Sequence, residues 1–239
     1  MIFLSELYIG LIGLMVGVLG TGIGSLIGIS IRKTNRISSF LLGLTGGFML
    51  FIVSFHLFPE AFYLGGMLIV LLGVLIGLFI IVFLDFLLDK LSYFGFIKAG
   101  IILALSVAIH NLPEGLALGS SLVGMSGFGS ILVLAMFLHN IPEGISISIP
   151  LSMKKMNKWK IFLLAVMAGV PTGIGAYLGA YLGTISQEII ALSLSIAGGI
   201  MLYIVCDELI PKGKALYKGK TSSIAVILGF LLGIALYFK

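Results

Sequence analysis

Apolar positions along this chain do not alternate with polar ones; they run unbroken. Leu7–Ile31, Ala61–Leu84 and Ile161–Gln187 contain no charged residue. Each exceeds the roughly 20 residues that cross a bilayer as a helix. Strands of a membrane barrel would show alternation in segments of about 10 residues, and none of that is seen. The pattern predicts an all-α membrane protein of eight transmembrane helices. They lie near 5–30, 38–62, 66–88, 97–121, 127–151, 160–184, 188–211 and 221–238. Every connection is short, so residues 1–239 read as a single transmembrane domain. The first stretch lacks the basic flank of a cleaved leader and reads as a retained span.

Composition agrees with the pattern. The chain is 60% hydrophobic and 10% charged, with a mean hydropathy of +1.26. A soluble domain would carry about 25% charged residues. The lone Cys206 excludes a disulfide framework and a CxxC metal motif, and reads as a small buried apolar residue. The positive net charge implies no nucleic-acid partner once the basic residues are located. Arg32, Lys33 and Arg36 fall between spans 1 and 2, and Lys90 and Lys98 between spans 3 and 4. Lys154, Lys155, Lys158 and Lys160 fall between spans 5 and 6; Lys212, Lys214, Lys218 and Lys220 fall between spans 7 and 8. That leaves only Lys239, of 14 basic residues, for the opposite face. The positive-inside rule then predicts a multi-pass cell (inner) membrane protein with both termini outside.

The chain repeats itself. Thr21-Gly22-Ile23-Gly24 recurs as Thr172-Gly173-Ile174-Gly175. Gly46-Gly47-Phe48-Met49-Leu50-Phe51-Ile52-Val53 recurs as Gly198-Gly199-Ile200-Met201-Leu202-Tyr203-Ile204-Val205, with Pro59 and Pro211 at matching places. The offsets are 151 and 152 residues. Partners five spans apart run in opposite directions, so the repeats are inverted, a device by which transporters build a midplane substrate site. The expected organisation is 3+2+3: repeat A over about 5–88, a central helix pair over about 97–151, and repeat B over about 160–238.

All three histidines of the chain stand in the pattern His-x-x-Pro-Glu. They are His56 with Glu60, His110 with Glu114, and His139 with Glu143. The last two motifs are near-identical, His-Asn-x-Pro-Glu-Gly, and fall near the centres of spans 4 and 5. Residues four apart share a helix face, so each span presents one imidazole and one carboxylate together. Two such helices face to face supply two nitrogens and two carboxylates, a set that suits a borderline-soft divalent ion. Neither central span has a Lys or Arg close to its motif. A carboxylate at mid-bilayer opposes insertion by about 2.5–3.5 kcal/mol, which a bound dication would offset.

The paired motifs, with the Gly-Gly-x-Met-Leu spans on either side, resemble the Zrt-, Irt-like protein (ZIP) family of metal transporters, especially its bacterial members. The resemblance covers the whole chain. It implies eight spans, outside termini and a transport site of His110, Glu114, His139 and Glu143, with Met49 where some members supply a span 2 thioether. Some members hold a second ion with the span 4 asparagine and a span 5 acid. Asn111 matches the former, whereas Asn140 stands in place of the acid, and Val170 stands where a glutamate would precede Pro171.

The expected function is uptake of a divalent transition metal into the cytoplasm by alternating access. Zinc is the first expectation, and such a donor set also accepts Fe²⁺, Mn²⁺, Cd²⁺, Co²⁺ and Ni²⁺. His56 and Glu60 would form an outer mouth and Asp207 and Glu208 an inner one. An intramembrane zinc-dependent enzyme is the alternative, though HExxH is lacking and no base is spare. Small residues on spans 1 and 6 offer a contact surface within one chain or in a homodimer.

Overall fold

The structure, a computed structural model, describes residues 2–31, 34–89, 95–124, 128–182 and 186–237. Arg32, Lys33, Lys90 and Lys239 of the charge pattern lie outside the described residues, as does the side chain of Lys98. Among the described residues the fold is helical throughout, with no strand. The helices are α1 (Ile2–Ser30), α2 (Asn35–Ile52), α3 (Phe58–Asp89), α4 (Gly95–Gly124) and α5 (Phe128–Met153). They are followed by α6 (Lys158–Leu182), α7 (Gln187–Tyr203), α8 (Ile210–Leu216) and α9 (Thr221–Tyr237). Among the described residues four stretches are long and apolar enough to cross a membrane: Glu6–Ser30, Asn35–Leu87, Lys158–Tyr181 and Gln187–Leu216. Gly100–Leu116 and Thr221–Leu236 are shorter apolar helices.

Local chemistry sets the punctuation. Thr34 caps α2, its hydroxyl oxygen accepting from the Ile37 amide at 3.2 Å. Inside α3 the helix breaks at Gly66, whose φ of 73° and ψ of 176° suit only glycine. The long Asn35–Leu87 stretch is therefore two rods joined at Gly66. Two π-helical segments, Val53–Leu57 and Ile204–Leu209, connect α2 to α3 and α7 to α8. Pro59 and Pro211 stand two residues beyond them. A proline lacks the amide that would bond the carbonyl four residues earlier and its ring crowds that carbonyl, so the preceding turn widens. Helices α4, α5 and α6 stay α-helical through Pro113, Pro142, Pro150 and Pro171.

Helix crossings rest on glycines set against backbone carbonyls, and these contacts come in matched pairs. A Cβ on Gly24 of α1 would lie 2.0 Å from the Ile141 carbonyl oxygen of α5; one on Gly175 of α6 would lie 2.1 Å from that of Leu112 in α4. Gly144 meets Thr21 as Gly115 meets Thr172. Farther out, Gly47 meets Val226 as Gly199 meets Val74, and Gly229 meets Leu44 as Gly77 meets Ile196. In these pairs the residues of the two halves are related by the 151- or 152-residue offset of the sequence repeat, while their partners on α4 and α5 exchange places. Such closeness admits no side chain, and is how helices pack where lipid offers no hydrophobic drive.

Around these crossings a continuous apolar core joins Phe51, Val53, Ile102, Val107, Ile149 and Ile204 among others. The opposite faces are apolar and exposed, as on α3 at Leu68, Leu71, Leu75, Phe79 and Phe83. That inversion, apolar outside as well as inside, suits a lipid solvent.

Candidate metal centre

Helices α4 and α5 cross with their paired motifs facing one another. Ligand atoms of His110, Glu114, His139 and Glu143 lie within 4.8 Å of one another, and all four residues are buried. Glu143 Oε1 sits 2.8 Å from His110 Nε2 and 2.7 Å from His139 Nε2. His139 Nε2 is also 3.3 Å from Glu114 Oε2. The bond from His110 to Glu143 spans the two helices, whereas that from His139 to Glu143 closes one helical turn. With metal bonds of about 2.0–2.1 Å, tetrahedral donors around zinc stand about 3.3 Å apart. The contacts of 2.7, 2.8 and 3.3 Å within the cluster lie at or just below that spacing, so the donor set is of a size to enclose such an ion. Four further atoms support the fit. Glu114 Oε1, Glu143 Oε2, Asn111 Oδ1 and Asn140 Oδ1 are buried without a hydrogen-bond partner among the described residues. Buried carboxylate oxygens left so are costly unless a cation meets them.

The surroundings fix these side chains in place. Asn111 donates from Nδ2 to the Ala168 carbonyl at 2.9 Å, fastening α4 to α6. Asn140 donates to the Met136 carbonyl one turn back, also at 2.9 Å. Ser146 donates to the Glu143 carbonyl, and Ser148 to Ser25 Oγ across to α1, at 2.7 and 2.8 Å. The glycines two residues and less from each motif, Gly115 and Gly144, bring α6 and α1 against the same turns.

The other residues singled out in the sequence stand on elements other than α4 and α5. Met49 is buried in the main apolar core. His56 is half-buried on the first π segment, close enough to His139 for the two imidazoles to interact electrostatically. Glu60 is half-buried one turn beyond. Asp207 is exposed on the second π segment, and its neighbour Glu208 is buried. Cys206, expected in the core, is exposed instead. The π turn is the reason: an added residue per turn shifts the register and rotates Cys206 and Asp207 outward. Two participants escaped the sequence reading. Lys212 pairs with Glu208, and the Tyr203 hydroxyl donates to Asp85 Oδ2 at 3.2 Å, joining α7 to α3. The first was signalled by its i,i+4 spacing; the second had no local signal.

A four-donor His/Glu site inside a bundle of apolar helices defines a membrane protein that handles a divalent metal. Comparison with known proteins makes the class specific: residues 90–238 match the family described as ZIP Zinc transporter. The zinc transporter ZupT of Chlorobium phaeovibrioides is 33% identical over 236 residues, covering 87% of this chain and 89% of the relative. ZupT of Oceanobacillus iheyensis is 32% identical over 244 residues, covering 90% and 91%. Zinc transporter ZIP11 of Xenopus tropicalis is 32% identical over 145 residues, covering 56% of this chain and 42% of the relative. The chain belongs to the ZIP family of zinc transporters and is a multi-pass membrane protein.

Proposed function

We propose that this protein carries zinc into the cytoplasm through the centre formed by His110, Glu114, His139 and Glu143, by alternating access. The observation that carries the reading is the convergence of two imidazoles and two carboxylates from adjacent buried helices. Membership in a family of zinc transporters supplies the function. It gives no support to an enzymatic role. Zinc is the principal substrate, and Fe²⁺, Mn²⁺, Cd²⁺, Co²⁺ and Ni²⁺ are the ions to test in competition, since the donors do not by themselves exclude them.

The proposed frame is eight spans in a 3+2+3 inverted repeat, filling residues 1–239 as one transmembrane domain. The twinned glycine contacts support it, because they relate α1 with α6 and α5 with α4. They relate the α2–α9 contact with that between α7 and α3 in the same way. Repeat A holds the first three spans, α4 and α5 are the central pair, and repeat B holds the last three. Both termini face outward from the inner membrane. In support, the Arg36 guanidinium lies 5.7 Å from the Tyr217 ring, so two of the basic connections share one face. His56 and Glu60 receive the ion at the outer mouth, and Asp207 and Glu208 pass it inward. Met49 lends a thioether beside the route, and the Asn111 and Asn140 carbonyls line the centre. A homodimer through the lipid-facing helices is compatible with the exposed apolar surface.

Uptake of radioactive zinc into proteoliposomes tests the reading. His110→Ala and Glu143→Ala are each expected to reduce uptake to near background. Full uptake by both variants would remove the site from the route.

A further inference from the structure

The two π segments are counterparts under the repeat: at an offset of 152 residues Val53–Leu57 falls on the last five residues of Ile204–Leu209. π turns are rare and concentrate at functional positions. Their side chains can therefore be compared position by position. His56 in the outer half corresponds to Glu208 in the inner half, and both are potential metal donors. One turn on, where the outer half carries Glu60, the inner half carries Lys212. The twin positions hold opposite charges, and this asymmetry is unexplained by the repeat itself.

The inner lysine is engaged. Lys212 Nζ pairs with Glu208 Oε2, and the glutamate side chain is 7% exposed while the lysine is 28% exposed. The π segment that carries Glu208 packs against α4, the helix of His110 and Glu114. A buried carboxylate near the inner mouth would hold a departing dication strongly, because the low local dielectric magnifies their attraction. An ammonium on the same carboxylate weakens that hold, since the metal must displace one positive charge to bind. On the outer side the additional Glu60 has the contrary effect and strengthens capture.

Resting on the transport reading above, we propose that Lys212 is a tethered counter-cation, which occupies Glu208 between ions and lowers that carboxylate's hold on outgoing zinc. It is a positioning residue for release, acting through Glu208 and not through the central four donors. The same pairing keeps Glu208 in one conformation without a metal, satisfying a charge that burial would otherwise penalise.

Equilibrium dialysis of detergent-purified protein against zinc tests this directly, with proteoliposome uptake run beside it. Lys212→Met and Lys212→Gln are each expected to retain one additional equivalent of zinc. Uptake at saturating zinc should slow on the order of fivefold, an effect typical of losing one partly exposed charge pair. The added equivalent should vanish again in the Glu208→Gln/Lys212→Met double variant, and Lys212→Arg should behave as the unaltered chain. Unchanged stoichiometry and unchanged uptake in the single variants would overturn the proposal. So would an added equivalent that persists without Glu208, or loss of all zinc binding in both single variants, which would make Lys212 a folding residue. The dialysis readout does not depend on transport. Failure of His110→Ala to reduce uptake would instead count against the transport reading, so the two failures are distinguishable.

Discussion

Glu143 Oε1 accepts from two imidazoles at once, one on its own helix and one on the neighbouring helix. That oxygen is the geometric hub of the four donors, and its charge draws both rings inward. Glu143→Gln keeps the volume but removes the charge, and is expected to lower zinc affinity by at least about 100-fold, the scale on which metal sites respond to altered partners. Isothermal titration of the purified protein measures it. Glu114→Gln should cost less, because Glu114 has only the longer 3.3 Å contact to His139. Imidazoles must be neutral and carboxylates ionised to bind metal, so binding releases protons and weakens as pH falls. Titration in buffers of different ionisation enthalpy should show release that grows toward acidic pH. Each His/Glu pair was legible in the sequence from its spacing of four. The bond from His110 to Glu143 was not, because it depends on how closely α4 and α5 cross.

That crossing is decided by elements. Gly144 lies against the Thr21 carbonyl and Gly115 against that of Thr172, each with about 2 Å available to a Cβ. Replacing Gly144 by Val would push α1 away from the turn that holds Glu143. Overpacking of this kind costs about 1–3 kcal/mol, and the variant should unfold at lower temperature in detergent and bind zinc more weakly. Scanning fluorimetry with and without zinc checks both effects. Most helical stretches were legible from apolar runs, and the boundary at Gly66 fell where a Gly-Gly pair interrupts them. The π segments were not. Pro59 and Pro211 marked the places, but prolines at 113 and 142 left α-helix intact, so the residue type alone does not dictate the distortion. The misplacement of Cys206 follows from the same gap, since its face was judged with a regular helical period.

At the scale of the molecule, orientation can be read chemically. In a Cys206→Ser background, single cysteines at Lys154 and at Lys214 should both react with a membrane-impermeant maleimide only in inside-out vesicles. Labelling of either from the outer side would reverse the proposed topology. The expectation comes from the charge pattern, in which basic residues fall in alternate connections, and the approach of Arg36 to the Tyr217 ring accords with it for two of them. What sequence could not provide was the fit between halves, which emerges only when carbonyls and glycines are matched across helices.

The twinned glycines carry a last consequence. Gly77 against Ile196 and Gly229 against Leu44 are the same wedge built twice, in opposite orientations. Under the alternating access proposed above, each wedge would take over the duty of its mate as the halves exchange roles. Matched wedges would set the outward-open and inward-open forms against each other like the arms of a seesaw, on which about 1.4 kcal/mol shifts the ratio tenfold. An alanine at one fulcrum should lean the molecule toward one side of the membrane, an alanine at the other should lean it back, and both together should restore the level.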